Sequence, residues 1–227
     1  MSNNKLPPGL RDRVLQAAAQ RPSPTRRVFT WRRWAFLLLS FLVLGLVAGS
    51  RGLPSVSATR PAIYPILVCT ASVVIAIVAA MLALAPTRSP LWRPQVRLRL
   101  AFFVPICLSV VVLVANAAAP QTFCLPTLSV GAHLPCLVAS FVIGIAVLVF
   151  LIVLERRTDP VAPKATGASL GAVAGAWSAL VMSMQCPHAD PAHVLATHIL
   201  PVAVMVVMGM AVAPRWIAMR WEGPKQP

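Results

Sequence analysis

Residues 134–157 read LPCLVASFVIGIAVLVFLIVLERR. From Leu134 to Leu154 no side chain is charged, and the run stops at Glu155-Arg156-Arg157. About 20 apolar residues are what an α-helix needs to cross about 30 Å of hydrocarbon. The run is continuously apolar and does not alternate, so it is not a strand of a membrane barrel. In water such a run would need a core to hide in, whereas lipid accepts it as it stands.

Five more stretches along the chain have the same character. The six run about Trp34–Ser50, Ala62–Ala85, Leu100–Ala119, Leu134–Leu154, Ala168–Met184 and Ala192–Val212, and none contains Asp, Glu, Lys or Arg. Composition agrees: 58% of the 227 residues are hydrophobic and 11% charged, against about 25% charged in a soluble domain. The fold class expected is all-α, an integral membrane bundle of six transmembrane helices. It divides into a basic segment (1–33), the membrane domain (34–213) and a tail (214–227). The first span does not resemble a cleaved signal, because a long basic segment precedes it and no small-residue cleavage site stands out.

The charges sort by loop. Of 20 Lys and Arg residues, only Arg51 and Arg60 fall between spans one and two, and none falls between spans three and four or five and six. The N-terminal segment carries Lys5, Arg11, Arg13, Arg21, Arg26, Arg27, Arg32 and Arg33, and Arg88, Arg93, Arg97 and Arg99 lie between spans two and three. Arg156, Arg157 and Lys164 lie between spans four and five, and the tail holds Arg215, Arg220 and Lys225. Basic loops are retained inside, so both termini are expected in the cytoplasm of a bacterium and the chain in its inner membrane, multi-pass. A net charge of +15 spread this way points to the lipid bilayer as partner, and not to direct contact with nucleic acid. Trp31, Trp34, Trp92, Trp216 and Trp221 sit near the expected inner interface, while Trp177 falls mid-span and is expected to pack on a neighbouring helix or lipid.

A coupled transporter would need ionisable groups at membrane depth, and an intramembrane enzyme some catalytic constellation. The spans offer neither, so no enzymatic activity and no cofactor are expected. A small-molecule transporter or an accessory membrane subunit remains the alternative class. Within span five, Gly167, Gly171 and Gly175 are four apart and expected to admit a close neighbour inside the bundle.

Reactive side chains collect on the expected outer side: Cys124, Cys136, Cys186, His133, His188, His193 and His198. Cys136 begins span four and Cys186 follows span five, so adjacent packing of these spans puts both thiols at one depth. An oxidising compartment would then allow a disulfide if their Cα atoms come within about 7 Å. Thiolate chemistry also makes them candidate sensors of oxidants or soft metals. Cys124, His188 and His198 are accessory candidates. Asp190-Pro191 suits a helix start, with a capping carboxylate and proline in the first turn. On an ideal helix His193 and His198 stand about 140° apart, so no metal site is expected from this segment alone. Cys69 and Cys107, within spans, read as small core residues.

Leu10–Gln20 has helical character between Pro7-Pro8 and Pro22, with Leu10, Val14, Leu15 and Ala18 on one side. So short a helix is marginal alone. A partner groove or the membrane surface would order it; the other reading is a basic flank that only fixes topology.

The stretch Gly167-Ala-Ser-Leu-Gly171, leading to Met184-Gln-Cys186-Pro-His188-Ala-Asp190-Pro and then His198, resembles the NrsF-like membrane anti-sigma factors. The likeness spans roughly Cys136 to Arg220, with the general layout matching elsewhere. It implies six helices, a cytoplasmic part that holds an extracytoplasmic-function sigma factor, and sensing of outside stress by the cysteines matching Cys136 and Cys186. The start Pro8-Gly9-Leu10-Arg11-Asp12-Arg13-Val14-Leu15 departs from that family. It looks more like other bacterial membrane anti-sigma factors, including the CarR-type repressor of light-induced carotenoid synthesis. The His-then-CxxC signature of zinc-containing anti-sigma factors is absent from residues 1–33.

Overall fold

A computed structural model describes residues 63–83, 93–118, 130–156, 162–186 and 190–217, with isolated positions 9, 12, 16, 31, 34 and 35. Among the described residues the fold is helical, without strands. Five long helices succeed one another: α1 (Ile63–Ala83), α2 (Pro94–Ala118), α3 (Val130–Glu155), α4 (Pro163–Gln185) and α5 (Pro191–Ile217). Four of them, α2 to α5, are long and apolar enough to cross a membrane. The expected span Trp34–Ser50 lies outside the described residues except for Trp34 and Ala35. Leu10, Val14, Leu15, Ala18, Cys124 and His188 lie outside them altogether.

Helix α4 is the centre of the bundle. Every residue from Ala165 to Met182 is buried, and α1, α2, α3 and α5 all pack on it. It is rich in Ala, Gly and Ser, residues that let neighbouring backbones come close and gain dispersion contacts. The glycine row faces α5 of the same chain. A methyl at Gly167 would overlap the Gly209 carbonyl, one at Gly171 the Met205 carbonyl, and one at Gly175 would sit 2.7 Å from Val202 Cα. The row therefore packs inside one bundle.

The sidedness is the reverse of a soluble protein's. Large side chains such as Ile106, Leu113, Val142, Val149 and Val153 point outward, a face that lipid tails would solvate as well as a core does. Inside, Leu108, Val112, Leu148, Leu151, Met205 and Val206 share one core with Leu170 and Val173 of α4. Trp177 is buried within this core. Cys69 is half-buried against it, but Cys107 is exposed on the outer face of α2 and is not a core residue. Ser178 Oγ donates to the Ser140 carbonyl at 2.6 Å and ties α4 to α3.

The helices outrun the apolar windows. Helix α2 begins at Pro94, so Arg97 lies inside it, buried, and donates from its guanidinium to the Ala83 carbonyl at 3.0 Å. That bond caps the open C-terminal end of α1. Glu155, the last residue of α3, is also buried and attracts the Arg97 charge. Helix α5 continues past Val212 to Ile217.

Candidate functional site

At the opposite end of the bundle from Arg97 and Glu155, α3 begins, α4 ends and α5 begins. Asp190 starts α5 as expected: its carboxylate accepts from the His193 backbone N–H at 2.9 Å, with Pro191 in the first turn. The helix then changes pitch. Residues Leu195–Ile199 form a π-helical turn, and the Leu200 N–H reaches back to the Leu195 carbonyl five residues earlier. Pro201 supplies the reason. It has no N–H for the Thr197 carbonyl, and its ring would crowd that oxygen in a regular α-helix. Widening the preceding turn relieves both problems. Thr197 Oγ1 donates to the His193 carbonyl at 2.8 Å within the widened turn.

The π turn corrects the expectation that His193 and His198 diverge. A turn closed by i→i+5 bonds brings residues five apart onto one side. The two rings meet edge to face, with centroids 5.6 Å apart. Both are buried. From α3, His133 lies against His193, with ring centroids 4.7 Å apart and a hydrogen bond between the two Nδ1 atoms. The other nitrogen of His193, Nε2, faces Cys186 Sγ at 3.2 Å.

Cys186 caps the end of α4, its N–H bonded to the Met182 carbonyl, and its side chain is buried. Across from it stands Cys136 of α3, half-buried, with the sulfurs 3.7 Å apart. That is beyond the about 2.04 Å of an S–S bond, so no disulfide joins them in this structure. The expected approach of Cys136 and Cys186 is thus present. Around it stand groups whose association is not apparent along the chain. The ligand atoms of Cys136, Cys186, His193 and His198 all lie within 4.8 Å of one another. Three helices therefore deliver two thiols and two imidazoles to one point, with a third imidazole behind.

Sequence reasoning missed His133 and His193 as partners and separated His193 from His198. Two signals were available. All four histidines fall on one expected side of the membrane, and Pro201 lies one turn beyond His198.

Comparison with known proteins gives one family: that described as NrsF, negative regulator of sigma F, matches residues 15–221. No curated protein and no solved structure matches the chain.

Proposed function

The chain belongs to the NrsF family of negative regulators of sigma F, and from that premise we propose that it is a membrane-embedded anti-sigma factor. It sequesters an extracytoplasmic-function sigma factor at the inner membrane and releases it when an envelope or oxidative signal, light-generated oxidants included, reaches the far side. It works by binding and needs no catalytic step. Six spans place both termini in the cytoplasm, and the side chains Leu10, Val14, Leu15 and Ala18 contribute an apolar stripe to the sigma contact.

The observation that carries this reading is the polarity of the bundle. Arg97, Arg99, Arg156, Lys164 and Arg215 lie toward one end of the helices, and Cys136, Cys186, His193 and His198 converge at the other. Basic flanks favour the cytosol, so the thiols then face an oxidising compartment where their state can change. Helix α4 joins the two ends through the middle of the bundle, so a change in how α3, α4 and α5 meet at the thiols is felt at the basic end.

Purification of the tagged chain in mild detergent from its own cells tests the proposal. A sigma factor is expected to co-purify, and deletion of residues 1–20 to abolish both its retention and the repression of its promoters. Absence of any sigma factor from the full-length preparation would reject the proposal.

A further inference from the structure

A sensing thiol pair would need only Cys136 and Cys186. The chain also breaks the regular pitch of α5 and buries two histidines beside them, which a disulfide alone does not require. We propose that Cys136, Cys186, His193 and His198 form a binding site for one thiophilic d10 cation, Zn(II) or Cu(I), with two sulfur and two nitrogen ligands.

The spacing fits such an ion. A tetrahedral zinc with Zn–S bonds of about 2.3 Å holds its sulfurs about 3.8 Å apart; those of Cys136 and Cys186 stand at 3.7 Å. With a Zn–N bond of about 2.0 Å, the sulfur-to-nitrogen edge is about 3.5 Å; Cys186 Sγ and His193 Nε2 stand at 3.2 Å. All four ligand atoms lie within 4.8 Å of one another, so closing on the ion takes side-chain shifts of about 1 Å.

The outer arrangement fits as well. A ligating histidine normally offers one nitrogen to the metal and its other N–H to a neighbour that fixes the tautomer. His193 does this: Nε2 faces the thiols, and Nδ1 is hydrogen-bonded to His133. With the proton on Nδ1 and donated to His133, Nε2 keeps the lone pair that a metal needs. His133 is thus a positioning residue. Soft thiolate and imidazole donors select Zn(II) and Cu(I) over hard cations such as Mg(II) or Ca(II), which take oxygen. Two thiol protons pass to solvent as two metal–sulfur bonds form, and no electron moves. Cys186, His193 and His198 are buried and Cys136 is half-buried, so the ion enters past Cys136. As a signal site this rests on the anti-sigma reading; as a metal site it does not.

The test uses the full-length chain in detergent with a reductant and no sigma factor. Zn(II) and Cu(I), each buffered by a competing chelator, are titrated separately, with Co(II) as an optical probe. One equivalent of Zn(II) or Cu(I) per chain, with Co(II) giving the intense visible bands and sulfur charge transfer of a tetrahedral site, is expected. His198→Ala and Cys136→Ser are each expected to weaken binding about 100-fold or more, and His133→Ala about 10- to 100-fold. Zinc bound to the unaltered chain is also expected to slow alkylation of Cys136, a measurement that needs no variant to fold. Stoichiometric binding of neither cation, or binding unmoved by both His198→Ala and Cys136→Ser, overturns the site. A failure here leaves sigma-factor co-purification unaffected, so the two proposals fall separately.

Discussion

His193 and His198 meet edge to face across five residues of α5, with ring centroids 5.6 Å apart, because a π turn stands where an α turn would have parted them. The turn is tied to Pro201. Replacing it by alanine restores an N–H for the Thr197 carbonyl and removes the ring that crowds it. Pro201→Ala is expected to let α5 relax toward regular pitch and rotate His198 away from His193. Helix content by circular dichroism should hold or rise, while affinity for the titrated cation falls at least about tenfold, as for loss of a supporting group. Unchanged affinity would show that Pro201 does not hold the turn.

The sulfurs of Cys136 and Cys186, 3.7 Å apart, are placed for oxidation by a peroxide. One thiol is oxidised to a sulfenic acid as the peroxide gives water or an alcohol, and the second thiol displaces water from it to form the disulfide. Mass spectrometry of peroxide-treated membranes is expected to find a Cys136–Cys186 linkage within one chain, two hydrogens lighter. Cys69 and Cys107, on other helices, should remain outside it.

Where Gly167 and Gly171 touch α5, the obstacle to a larger side chain is the backbone of Gly209 and Met205, which cannot rotate away. Gly171→Ala is expected to destabilise the bundle by about 1–3 kcal/mol. Val142→Ala, on the outward face of α3, should stay within about 0.5 kcal/mol. Denaturation in mixed micelles compares them, and a tolerant Gly171 would disprove the close α4–α5 contact.

At the basic end, Glu155 is buried and attracts Arg97, which in turn caps α1. Glu155→Gln leaves the guanidinium buried without the attraction of that carboxylate, and is expected to lower the stability of the bundle. Arg156→Gln, at an exposed neighbour, should change little. Thermal unfolding in detergent is expected to rank Glu155→Gln well below Arg156→Gln, and equal stability would deny the coupling.

How much of this was legible along the chain depends on which physical signal carried it. Lipid selects long apolar runs, so the spans expected at Ala62–Ala85 and Leu134–Leu154 overlie α1 and α3 closely. A run ends at its first charge but a helix does not, so Arg97 and Glu155 were left outside windows that their helices include. Cys136 and Cys186 could be paired because consecutive antiparallel helices return to the same depth. The convergence of His193 and His198 could not, because an ideal 100° step was applied across a turn that Pro201 widens. The contact of His133 with His193 depends on how α3 and α5 pack, which no local pattern reports.

The thiols and the arginines are expected to face opposite sides of the inner membrane. A membrane-impermeant maleimide applied to intact spheroplasts measures this directly, using one chain whose sole cysteine is Cys136 and another whose sole cysteine comes from Arg156→Cys. Cys136 is expected to react in intact cells and the cysteine at position 156 only after the membrane is opened. Labelling of both from one side, or of position 156 alone in intact cells, would contradict the account.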